Sequence, residues 1–170
     1  MDEQPFKKIN RLRKEGNLSE AWDIGCPAVQ ESPQDQYIKA AFFWVCYDYL
    51  KEVQSQIKAK ASSGNGDFSP SPPQVERINF LLDWITWLDP PTGGYEYRSL
   101  ALCFQKNLEH FPKLVLLLSR RLSGLFLDED KEPFLSEKGE SPSLMLKFSR
   151  KVAKCWLTHE ECRQLSIEEL

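Results

Sequence analysis

The sequence has little of what enzymes and metal proteins usually carry. It holds only two histidines, His110 and His159, and neither stands near a serine or cysteine in a nucleophile–base spacing. G-x-S-x-G, P-loop and dinucleotide fingerprints are missing. Five cysteines are scattered with no C-x-x-C pair, and their odd number argues against a disulfide framework, so free thiols in a reducing cytosol are expected. No apolar run is long enough to span a bilayer; LVLLL at 114–118 is among the longest. The charged start MDEQPFKKINRLRKEG lacks the apolar stretch of a secretory signal. With a net charge of −3, no global field draws the chain to nucleic acid or membrane. A non-enzymatic, cytoplasmic protein without cofactor or resident metal is the expectation.

What is present reads as helix. The 41% hydrophobic and 28% charged fractions are those of an ordinary globular chain of 170 residues, and strand-like alternation is scarce. Phe6, Ile9 and Leu12 mark a first helix ending at Gly16. Asn17 and Glu20 have capping-box spacing for a second, with Leu18, Ala21, Trp22, Ala28 and Val29 inward and Pro33 at its end. A third runs from about Gln34 to Ala61 on an Ile38, Ala41, Phe42, Val45, Tyr49 row, and past Lys51 it turns polar and is expected to project into solvent. The stretch SSGNGDFSPSPP, 62–73, is expected to be a flexible loop. Ser71, Pro72 and Gln74 then start a fourth helix through Leu88. A fifth spans Tyr95 to His110, a sixth opens at Pro112, and Ser141–Pro142 cap a seventh. The fold class expected is all-α, about seven helices in antiparallel hairpins. It is taken as one domain over 1–170: a hairpin region 1–61, the loop 62–73 and a helical second half 74–170.

Close packing of two antiparallel helices needs small residues where they face each other. Gly16 at the turn, Ala21 and Ala28 two helical turns apart, and Pro33 at the end resemble a tetratricopeptide (TPR) repeat over 2–35. Gly25 stands where that repeat carries a large residue, and Pro27 is expected to kink or loosen the helix. The run INRLRKEGNLSEAWDIGCPAVQESPQDQYIKAAFFWVCYDYLK, with the later FLDEDKEPFLSEKGESPSLMLKFSRKVAKCWL, is similar to the helical N-terminal region of TOTE-type conflict-system proteins of bacteria. The resemblance implies a setting in defence against mobile elements. Longer members of that family continue into a small β-barrel. No strand-like segment occurs in this sequence, so any nucleic-acid role of the barrel does not carry over.

Three clusters are candidate sites. Lys147, Arg150, Lys151 and Lys154 form a basic stripe at i, i+3, i+4, i+7, and Lys7, Lys8, Arg11, Arg13 and Lys14 form a second basic group. Each suits a solvated helix face, pairing with the acidic loop at Asp128–Glu132, or contact with a phosphate backbone. Cys155, His159 and Cys162 have one-face spacing for zinc, but no fourth ligand is near and semi-buried thiols explain them better. Trp84 and Trp87, with Tyr95 or Tyr97, flank DPPTGG. Core burial is expected for them, with a peptide-binding spot as the alternative. The function expected is therefore a TPR-like module for a protein or peptide partner. The alternative is a nucleic-acid-associated accessory protein using the basic helix faces.

Overall fold

The computed structural model describes residues 3–64, 68–90 and 95–126. They form six α-helices and one 3-10 turn, with no strand among the described residues, so the chain is all-α as its periodicity implies. The basic stripe, the zinc-spaced trio, the acidic loop and the expected seventh helix lie outside the described residues. No described helix is long and apolar enough to cross a membrane. The backbone falls into two compact units. One holds residues up to 67 with 71–92, and the other holds Phe68–Pro70 with the chain after Thr92.

In the first unit, α1 (Pro5–Lys14) buries Ile9 and Leu12. It ends where Gly16 takes φ +84°, a left-handed conformation that costs glycine little. Gly16 N–H donates to the Arg13 carbonyl at 3.1 Å and Asn17 N–H to the Leu12 carbonyl at 2.9 Å, which closes the helix in a Schellman pattern. The Asn17 amide is thereby used. The capping box expected from Asn17 and Glu20 does not form, and the Asn17 side chain makes no cap bond to α2 (Leu18–Glu31). Pro27 lies inside α2 without interrupting it.

Helix α3 (Gln36–Ser62) starts at an unexpected cap: Asp35 Oδ1 accepts from the Tyr37 and Ile38 amides at 2.8 and 3.1 Å. Its second half is not a solvent-exposed projection. Val53, Ile57 and Ala61 recur at i, i+4, i+8 and are buried, as is Gln54. The polar residues between them mask a one-sided apolar row. Helix α4 (Pro72–Leu88) starts as its sequence indicates, with Gln74 Oε1 accepting from Ser71 N–H at 2.9 Å and from its hydroxyl at 3.0 Å.

Ring and ion pairs give the helix directions. Phe6 meets Tyr37 at 5.4 Å and Arg13 bonds Asp48, so α1 and α3 run the same way. Trp22 meets Tyr49 at 5.8 Å while the later Gly25 abuts the earlier Phe42, so α2 runs antiparallel to α3. Arg77 lies 5.5 Å from the Tyr49 ring and Trp84 5.4 Å from Phe42, so α4 is antiparallel to α3 as well. Successive helices therefore alternate in direction, as short connections favour.

In the second unit, α5 (Tyr95–Phe104) is shorter than its sequence suggests. It stops at Phe104, and a separate 3-10 turn covers Leu108–His110 before α6 (Pro112–Phe126). Asn107 makes the break: fully buried, it turns its side chain to donate to the Phe68 carbonyl at 3.3 Å, while its amide donates to Phe104. Leu100, Phe104, Leu108 and Phe111 are buried all the same, with Phe104 edge-on to Phe111 at 5.2 Å. The apolar spacing is satisfied across the break rather than by one helix.

Candidate aromatic groove

Helix α4 carries two apolar stripes. Ile78, Leu82, Ile85 and their neighbours Leu81 and Leu88 are buried. The second, Phe80, Trp84 and Trp87 at i, i+4, i+7, turns away from that core, with Asp83 beside it. Phe80 is 54% exposed and Trp87 50%, whereas Trp84 is half-buried. Core burial, expected for Trp87, therefore does not occur. Tyr97 is buried in the second unit, where Tyr95 is 54% exposed.

The exposed stripe faces α2. Trp22 meets Phe80 at 6.0 Å and Trp84 edge-on at 5.8 Å, and Trp84 in turn is edge-on to Trp87 at 5.6 Å. Such edge-to-face geometry favours aromatic pairs beyond the area they bury. Gln30, two turns beyond Trp22 on α2, completes the opposite wall. Gln30, Phe80, Asp83, Trp84 and Trp87 together line a cleft of about 420 Å³. Because α2 and α4 both run against α3, they lie side by side in the same direction, and the cleft follows the seam between them.

The seam exists because α2 is thin on its α3 side. Ala21 and Gly25 are buried there, and the Phe42 ring lies directly against the Gly25 backbone. Phe42 also holds Trp22 at 4.9 Å and Trp84 at 5.4 Å, so one buried ring positions both walls. Aromatic exposure beside a concave surface is what partner-binding sites show, whereas scattered exposed rings are ordinary.

The other candidates fare differently. Lys147, Arg150, Lys151 and Lys154 lie outside the described residues. In the N-terminal basic group, Arg11 pairs with Glu3 at 3.1 Å and with Glu15 at 3.3 Å. Arg13 donates to Asp48 at 2.8 Å in a half-buried pair. Both guanidinium groups are thus engaged within the chain. The bond to Arg11 lowers the Glu3 carboxyl below its usual range and, with the bond to Glu15, raises the Arg11 guanidinium. His110 closes the 3-10 turn before α6 instead of ending a long helix. Among the described residues no cluster of histidine, cysteine or acidic side chains could hold a metal ion. Cys26, Cys46 and Cys103 are free thiols. Burial pushes Cys46 far up, and burial with the nearby Asp23 charge raises Cys26, so neither is an activated nucleophile.

Phe80, Asp83 and Gln30 escape a reading made helix by helix. The legible signal is the second stripe on α4, since a helix with one core-facing side needs only one. No family model matches the chain, and neither a curated protein nor a solved structure does.

Proposed function

We propose that this chain is a non-enzymatic, TPR-like interaction module whose α2–α4 groove docks a segment of a partner protein in the cytoplasm. The observation that carries the proposal is the half-exposure of Phe80 and Trp87 on the wall of a concave, aromatic cleft. Burying the open half of two large rings removes on the order of 200 Å² of apolar surface from water, about 5 kcal/mol before the costs of association. Aromatic side chains of this kind dominate interface energetics. The alternating helices and the left-handed glycine between α1 and α2 fit the TPR-like layout. The resemblance to TOTE-type proteins supplies the setting proposed for it, a bacterial conflict system, and neighbouring nuclease, helicase or primase genes would support that setting.

The test is selection of short random peptides against the full chain, followed by titration of those selected through tryptophan fluorescence. Trp87→Ala should weaken their binding at least tenfold while costing only about 1 kcal/mol of fold stability, since the ring is half-exposed and has Trp84 as its aromatic partner. Selected peptides that bind Trp87→Ala as tightly as the wild type would remove the groove from the proposal.

A further inference from the structure

The chain passes from the first unit into the second at Phe68 and returns to the first at Ser71. The three residues Phe68–Pro70 form neither helix nor strand and are half-buried. Their sequence explains the extended course. Ser69 and Ser71 each precede a proline, which disfavours helical backbone in the residue before it. Ser71 is extended accordingly, at φ −77° and ψ 158°. Extended backbone has no internal partners for its carbonyls, so they turn to donors outside the segment. The Phe68 carbonyl accepts from the side-chain amide of Asn107 at 3.3 Å. Asn107 is fully buried, and its own backbone is spent on the turn: its N–H donates to the Phe104 carbonyl, and its carbonyl accepts from the His110 N–H. Beside it, the exposed Lys106 sets its ammonium 5.2 Å from the centre of the Phe68 ring.

Two consecutive residues at the break after α5 thus read two properties of one extended segment. The Asn107 amide reads the main chain, and that bond is indifferent to the side chain it passes. The Lys106 ammonium reads an aromatic ring, because ring faces attract cations through their quadrupole. Proline two residues later keeps the segment extended beforehand, which lowers the ordering cost of holding it. We infer that this break in the second unit is a recognition site for an extended aromatic-x-proline segment of a partner protein, occupied in cis by Phe68–Pro70. None of these residues lines the α2–α4 groove, so the inference does not rest on the groove as a docking site. A tethered segment competes at roughly millimolar effective concentration. The intact chain therefore admits a partner segment weakly, and weakening the tethered one opens the site.

The probe is a fluorescent peptide of sequence GDFSPSP, residues 66–72, titrated by anisotropy against the full chain. Phe68→Ala should bind it at least about tenfold more tightly than the wild type, because the cis competitor has lost its ring. Phe68→Leu keeps the apolar bulk and should give a smaller gain in the same direction, and circular dichroism checks that both variants fold. Replacing the peptide's phenylalanine by cyclohexylalanine, or adding Lys106→Gln to Phe68→Ala, should each weaken binding about threefold. Replacing that phenylalanine by alanine should abolish it. A peptide that binds neither variant, or binds the wild type and both variants equally, overturns the inference, as does binding indifferent to the peptide's phenylalanine. Binding that Trp87→Ala removes assigns the peptide to the groove and overturns this inference while leaving the docking role of the groove standing.

Discussion

An alanine at position 25 would place its Cβ only 2.9 Å from Phe42 Cε2 and closer still to Cδ2, and Phe42 is fully buried with nowhere to move. Gly25→Ala should therefore destabilise the fold by about 1–3 kcal/mol, as overpacking does. Gly16 has open space around the same atom but sits at φ +84°. Gly16→Ala should cost about 1–2 kcal/mol through backbone strain alone. Urea unfolding followed by circular dichroism measures both. The discriminating variant is Phe42→Leu: it should recover part of the Gly25→Ala loss and none of the Gly16→Ala loss. The sequence makes Gly16 legible, because a glycine between two apolar-periodic segments marks a turn. Gly25 is not legible in that way. It reads as a departure from a TPR pattern, since only the fold reveals which ring from another helix rests on it.

Cys46 gives a residue-scale prediction with a sign. Burial raises its thiol above the usual cysteine value, so the folded protein holds the proton more tightly than the unfolded chain. The stabilisation is complete below the unfolded thiol's pKa, about 8.5, and is lost as pH rises beyond it. Between about pH 9 and 10.5, stability should fall less steeply in Cys46→Ala than in the wild type, although the variant begins from a lower stability at neutral pH. A pair of parallel stability–pH curves would count against a buried thiol there.

At the scale of the element, α3 separates composition from burial. Its residues after Lys51 are rich in lysine and glutamine, and composition alone sends them into solvent. Val53, Ile57 and Ala61 nevertheless fall on one face and are buried. Three buried apolar residues suffice among seven polar ones when they share a side of the helix. Ile57→Ala should cost about 2–5 kcal/mol, the range for a core truncation, whereas a solvent-exposed isoleucine would cost a few tenths. Thermal denaturation distinguishes these outcomes by many degrees. The same helix shows why caps are unevenly legible. Ser71 and Gln74 bond as their spacing indicates, but Asn17 and Glu20 form no such box, and the Asn17 amide that Glu20 would satisfy already closes α1. A capping motif is local, while the competitor that defeats it belongs to the preceding helix. The end of α5 was hidden for a related reason. Leu108 and Phe111 keep helical spacing from Phe104, and nothing in that spacing records that Asn107 turns inward to Phe68.

At the scale of the molecule, helix content follows from periodicity, but the partner of each apolar face does not. The Gly-, Ser- and Pro-rich stretch marks where the chain has no core-forming residues. It says nothing of whether α4 joins the helices before it. Phe42 at 5.4 Å from Trp84 and Arg77 over Tyr49 bind α4 to α3 across that stretch. The groove depends on the same link, because its two walls come from α2 and α4 and share Phe42 as their support. A fragment ending at Thr92 retains all four helices of the first unit and every groove-lining residue. At this length a single core can support independent folding. The fragment should unfold in one cooperative transition, with the same midpoint by circular dichroism and by tryptophan fluorescence, and should bind the peptides selected by the full chain within about threefold of its affinity. A broad, non-coincident transition would show that the first four helices need the rest of the chain. Cooperative folding with lost binding would place part of the docking surface beyond α4, since neither helix of the groove would then be missing.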